Sequence, residues 1–155
     1  MVAMTNARAA LMVLAIGLAT PTSSVAQSVD TQSAARMKIL VHVTHGPEDP
    51  TRAALAFLVA KTAIDEGQSV TIFLAGDAVQ LIRGGVLDSL AGLGTGRLRD
   101  HYDAIVKGGG RFYLSGMSST ARSVTAEDLK GKPAEFAQPN VLIRLALEHD
   151  RVITY

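Results

Sequence analysis

The sequence predicts an α/β protein built on a parallel sheet that is covered on both faces. Two short runs, Lys38–Thr44 (KILVHVT) and Ser69–Ala75 (SVTIFLA), are β-rich and apolar almost throughout, the pattern of strands buried on both sides. A helix-like segment, Thr51–Glu66, lies between them, so strand, helix and strand form a parallel crossover unit. Strand-like and helix-like runs then keep alternating to the end of the sequence, which extends the same layered arrangement.

Residues 1–26 are expected to be an export signal. An apolar run, Ala9–Ala19, follows Arg8, Pro21 breaks it, and Ser24-Val25-Ala26 supplies the small residues a signal peptidase reads. The run is too short to span a bilayer of about 30 Å, which takes roughly 20 residues. Cleavage after Ala26 implies a periplasmic address. Residues 27–36 are small and polar and are expected to be a disordered linker, leaving one domain over 37–155. The chain has 155 residues, 15 basic and 14 acidic, and Arg8 is the one charged residue before Gln27, so the mature chain is formally neutral. Neutrality excludes a nucleic-acid partner that is held through its phosphates. There is no cysteine, so packing alone must hold an exported domain of a size that often carries disulfides. No later apolar run reaches membrane length, so no span is expected after cleavage.

Within the domain, Lys38–Thr44 is the first strand. Asp49 and Pro50 make an N-cap and N1 pair for the helix Thr51–Glu66, and Gly67 stops it. Ser69–Ala75 is the second strand. Asp77 is expected to cap a short helix through Ile82, Gly84-Gly85 to interrupt it, Val86–Ala91 to form a second short helix and Gly92–Gly96 a loop. Leu98, Tyr102, Ile105 and Val106 recur at helical spacing and mark an amphipathic helix closed by the glycines at 108–110. Arg111–Leu114 is the third strand and empties into a small polar loop. Thr125 with Asp128 reads as a capping box. Pro139 and Asn140 open the last helix, with Val141, Leu142, Leu145 and Ala146 facing inward, and Arg151–Tyr155 is the final strand.

Three strands end at Thr44-His45-Gly46, Ala75-Gly76-Asp77 and Leu114-Ser115-Gly116, and in an open α/β sheet such ends converge on one crevice. The candidate ligand-binding residues are therefore Thr44, His45, Gly46, Gly76, Asp77, Ser115 and Gly116. Ser118 and Arg122, with Ser119 and nearby backbone N–H groups, add an anion-holding option. His45, Asp77 and Ser115 have the composition of a nucleophile triad, but the strained G-x-S-x-G elbow of a hydrolase serine is missing and Asp77 has a simpler role as a cap. No catalytic residue is assigned. His42 and His45 are three apart on a strand, so they point to opposite faces unless the strand ends early, and His101 and His149 lie far away in sequence. Zinc needs three or four converging ligands, so no metal site is expected. Gly92-x-Gly94-x-Gly96 follows a helix-like segment instead of a strand, which is the wrong context for a dinucleotide fingerprint, and no cofactor is expected.

The stretches KILVHVTHGPEDPTRAALAFLVAKTAIDEG, SVTIFLAGDAV, RFYLSGMSSTARSV and DRVITY together resemble the DsrE/DsrF-like family, which includes small sulfur-relay subunits. The resemblance covers Met37–Tyr155. It implies a three-layer α/β/α, doubly wound fold around about five mostly parallel strands, and assembly into dimers, trimers or hexamers. Relay members carry persulfide sulfur on a cysteine at the end of the strand that Phe112–Ser115 matches, and Ser115 stands there in this chain. A thiolate is available near neutral pH and a serine hydroxylate is not, so sulfur carriage is not expected. The expected function is an exported, cysteine-free binding or assembly module that takes a small anionic or sulfur-containing ligand and partners copies of itself or related subunits. The alternative is an enzyme using Ser115 as nucleophile or a His-bound metal.

Overall fold

The computed structural model describes residues 36–155, so the expected export signal and all of the linker except Arg36 lie outside the described residues. The strands are β1 (Lys38–Val43), β2 (Ser69–Leu74), β3 (Ala91–Gly92), β4 (Gly96–Arg97), β5 (Arg111–Ser115), β6 (Ala134–Ala137) and β7 (Arg151–Thr154). The helices are α1 (Pro50–Asp65), α2 (Gly84–Ser89), α3 (Leu98–Lys107), α4 (Gly116–Ala121), α5 (Ala126–Leu129) and α6 (Pro139–Glu148), with a 3-10 helix over Gly76–Ile82. Five strands form one sheet in the order β6-β5-β2-β1-β7, and every pairing is parallel.

Strand alternation divides the core. Val41, Val43, Val70, Ile72, Leu74, Phe112 and Leu114 point to the face covered by α1, α2 and α3, where Phe57, Leu87, Leu98, Tyr102 and Ile105 meet them. Leu40 and Phe73 point the other way, against Val141, Leu142, Leu145 and Ala146 of α6. The expected inner row of the last helix is therefore the row that packs. Asp49 caps α1 as expected, its carboxylate accepting the Arg52 N–H at 3.1 Å. The capping box of Thr125 and Asp128 is formed at α5.

Several elements differ from expectation. Asp77 does not cap the 3-10 helix: Ala75 holds the cap position, and the Asp77 carboxylate reaches across to Arg122. Gly84 and Gly85 open α2 instead of interrupting a helix, because Arg83 is extended and releases the chain into a new turn. Ala91 leaves that helix and pairs with Arg97, so Gly92–Gly96 closes a small antiparallel hairpin, with Gly94 and Gly96 at positive φ. The polar segment after β5 is helical. A fifth sheet strand, β6, runs along β5 at the edge, from Ala134 against Phe112 to Ala137 against Ser115. Among the described residues no helix is long and apolar enough to cross a membrane.

Candidate functional site

The ends of β5, β2 and β1 are neighbours in the sheet, so the three loops expected to converge do so. At the end of β1 the Thr44 hydroxyl donates to the Tyr155 carbonyl at 3.0 Å. Arg52 Nη1 lies 2.8 Å from His45 Nε2. A guanidinium can only donate, so Nε2 accepts and the His45 ring carries its proton on Nδ1, which then donates to Thr44 Oγ1 at 3.3 Å. Both nitrogens of His45 are thereby engaged, by the adjacent Thr44 and by Arg52 in the first turn of α1. Gly46 donates its N–H to Glu48 Oε1 at 2.8 Å, and a Cβ at Gly46 would strike the backbone carbonyl of Asp77. Glycine is required there because two chain segments touch.

After β2, Gly76 adopts φ +56 and donates its N–H to Ser118 Oγ at 3.0 Å. Next to it Arg122 Nε donates to Asp77 Oδ1 at 2.6 Å. That hydrogen bond holds the Asp77 carboxyl below its ordinary value against an opposing push from desolvation, with the charge of Arg122 adding to the lowering.

After β5, Ser115 is the N-cap of α4, and its Oγ accepts the Ser118 N–H at 3.3 Å. The other end of α4 closes in a Schellman turn: Val124 N–H reaches the Ser119 carbonyl at 2.9 Å and Ser123 N–H reaches the Thr120 carbonyl at 3.2 Å. Arg83 Nη2 then donates to the carbonyls of Arg122 at 2.8 Å and Ser123 at 2.7 Å.

Gly76, Asp77, Ser115, Ser118 and Arg122 thus form one hydrogen-bonded cluster that ties α4 to the β2 loop. Gly46 packs against it, and Thr44 and His45 bond instead to Tyr155 and Arg52. Gly116, the first residue of α4, lies toward β6, where a Cβ would be 3.6 Å from the Ala137 carbonyl and from Gln138 Nε2. His45, Asp77 and Ser115 follow neighbouring strands, yet none of the three is hydrogen-bonded to another; each has a different partner. Of the anion-holding group, Arg122 is committed to Asp77, and Ser119 turns away from the cluster into the interior, 2% exposed.

The histidines are dispersed. His42 stacks edge-on against Phe73, His101 Nε2 lies 2.6 Å from the Thr95 carbonyl, and His149 spans the Leu145 carbonyl and Thr71 Oγ1. Among the described residues no three His, Asp or Glu side chains converge as a metal-binding group.

On the far side of α4 lies an open cleft of about 270 Å³ lined by Gly116, Ser119, Thr120, Val124, Phe136 and Gln138. Thr120, Val124, Phe136 and Gln138 are absent from the sequence expectation. Thr120 lies in α4 and Val124 just beyond it, and Phe136 and Gln138 are brought beside the end of β5 by β6, a strand too short to announce itself in the sequence.

The comparisons agree with this architecture. The YchN protein from E. coli, of known crystal structure, is 18% identical, covers 77% of this chain and 99% of its own, and superposes with a TM-score of 0.64. A conserved protein of unknown function from Bacteroides thetaiotaomicron, BT1422, is 12% identical, covers 76% of this chain and 94% of its own, and has a TM-score of 0.54. At these identities the likeness is one of fold. No curated protein matches the sequence significantly. The model of the DsrE/DsrF-like family matches residues 37–155, the whole of the folded domain, and the chain belongs to that family.

Proposed function

We propose that the protein is an exported, periplasmic DsrE/DsrF-like module that binds a small ligand or assembles subunits and carries no sulfur on its own chain. The observation that carries this reading is the state of Ser115. It stands at the strand end where the family resemblance implies a persulfide cysteine, in a chain without any cysteine, and its hydroxyl serves as the N-cap of α4. Nothing basic is hydrogen-bonded to it, and a serine hydroxyl without a base does not ionise near neutral pH. The ligand-facing groups on this reading are those at the ends of β1, β2 and β5, and the ligand is a small anionic or sulfur-containing molecule, which would have to compete with Asp77 for the Arg122 guanidinium. Export is supported by the apolar run and small-residue cleavage pattern of residues 1–26. Assembly is supported by the exposed Ile143 and Leu147 on the outer side of α6.

The test is cyanolysis of protein incubated with a persulfide donor. Wild-type protein is expected to hold no sulfane sulfur, and Ser115→Cys to gain up to one equivalent, because a thiol at a helix N-cap is partly ionised. Stoichiometric sulfane sulfur on the wild type would overturn the proposal. Mass spectrometry of periplasmic fractions is expected to find a mature N-terminus at Gln27, and an intact Met1 there would contradict export.

A further inference from the structure

Ser119 is in the middle of α4, 2% exposed, and its hydroxyl finds no hydrogen-bond partner within the protein. A helical serine ordinarily faces water or donates to the carbonyl one turn back. Its neighbour Thr120 does the latter, donating to the Gly116 carbonyl at 3.0 Å. A buried hydroxyl without a partner is unfavourable and uncommon in native proteins. Ser119 is also part of the wall of the cleft between α4 and the β6–α6 junction. Val124 and the half-exposed ring of Phe136 form the apolar part of that wall, and Gln138 brings a carboxamide. No charged residue lines the cleft. The nearest cation in sequence, Arg122, is turned to Asp77. An anion in the cleft would therefore be desolvated without a counter-charge, which is strongly disfavoured.

We propose that this cleft binds a small neutral molecule with a planar apolar body and an amide- or carbonyl-type polar end. The body lies against Phe136 and Val124. The polar end bonds with the Ser119 hydroxyl, which reaches it by rotation about its Cα–Cβ bond, and with the Gln138 carboxamide. The site is distinct from the strand-end cluster, sharing only Gly116 and Ser119 with the residues expected there, and it does not depend on whether the chain carries sulfur.

Benzamide and benzoate, near-isosteres that differ in charge, separate this proposal from an anion site. In amide-resolved NMR titrations of the purified protein, benzamide is expected to shift the signals of Ser119, Thr120, Val124 and Gln138 saturably, with a Kd on the order of 1 mM for so small a probe. Benzoate is expected to bind at least about tenfold more weakly, because its charge finds no partner. Ser119→Ala is expected to keep or raise the melting temperature, since it deletes an unpaired hydroxyl, and to weaken benzamide roughly three- to tenfold. Phe136→Ala, at a residue 42% exposed in the folded protein, is a second variant expected to fold and to lose affinity. Equal or tighter binding of benzoate, benzamide shifts confined to other surfaces, or unchanged affinity in both variants would overturn the proposal. A lower melting temperature in Ser119→Ala would show a hydroxyl already satisfied and would overturn it as well.

Discussion

Ser123 is the one non-glycine among the described residues with positive φ, at 53°. It holds the left-handed position of the Schellman turn after α4, where glycine is the usual occupant because a Cβ is strained there. The turn survives because Arg83 clamps the carbonyls of Arg122 and Ser123 and because Val124, the next residue, is buried. Relief of the strain exceeds the added freedom of the unfolded chain, so Ser123→Gly is expected to stabilise the fold by about 0.5–1 kcal/mol. Urea denaturation measures this, and a loss of stability would show that the serine side chain contributes more than its strain. His42 makes a second case at this scale. Its Nε2 is buried without a partner, and burial lowers the ring's proton affinity below the ordinary value of 6.5. The unfolded chain therefore takes up the proton first as pH falls, so the contribution of a neutral His42 is fully present above about 6.5 and is lost as pH drops towards the folded value. Phe at this position keeps a ring against Phe73 and has no proton to bind. His42→Phe is expected to be at least as stable as wild type near pH 8, with an advantage that grows by about pH 5. Parallel melting curves for the two proteins would disprove it.

Between elements, the β1–α1 loop is pressed onto the 3-10 helix at Gly46, where the backbone of Asp77 leaves no room for a side chain. Both segments are anchored, the loop by Glu48 and the N-cap Asp49, the 3-10 helix by Asp77 and Arg122, so neither yields easily. Gly46→Ala should then cost about 1–3 kcal/mol, the usual penalty of an overpacked contact, and an unchanged midpoint in urea would show that the loop gives way. Such contacts mark where the sequence stops being legible. The buried strands β1, β2 and β5, α1 with its Asp49 cap and the inner row of α6 follow from periodicity and capping chemistry within a few residues. The strand β6 is short, follows Pro133 and lies at an edge, so its pattern is too brief to declare itself. The helix α4 is built from Gly, Met, Ser, Ser, Thr and Ala, mostly weak helix formers, and its closure depends on Arg83 from elsewhere in the chain. Convergence of the three strand ends was readable from their positions. The pairing of Asp77 with Arg122 and the cleft beside β6 were not, since both depend on tertiary neighbours distant in sequence.

For the folded domain as a whole, the two faces of the sheet are covered unequally. The face of α1, α2 and α3 holds most of the fully buried side chains, whereas α6 alone lies over the other. The inner row of α6 meets Leu40 and Phe73, and its outer side presents Ile143, 62% exposed, and Leu147, 83% exposed, one turn apart. Val152 of the edge strand β7 is half-exposed on the same face of the sheet. Large apolar side chains grouped in this way are usual where another protein surface covers them. The assembly proposed above uses this face and takes a second copy of the chain as its occupant. Light scattering on size-exclusion peaks is expected to give a multiple of the monomer mass. The double variant Ile143→Glu with Leu147→Glu is expected to elute as a monomer with unchanged far-ultraviolet circular dichroism, because neither side chain contributes to the core. A wild-type protein that is already monomeric at high concentration, or a double variant that still assembles, would remove this face from any account of subunit contact.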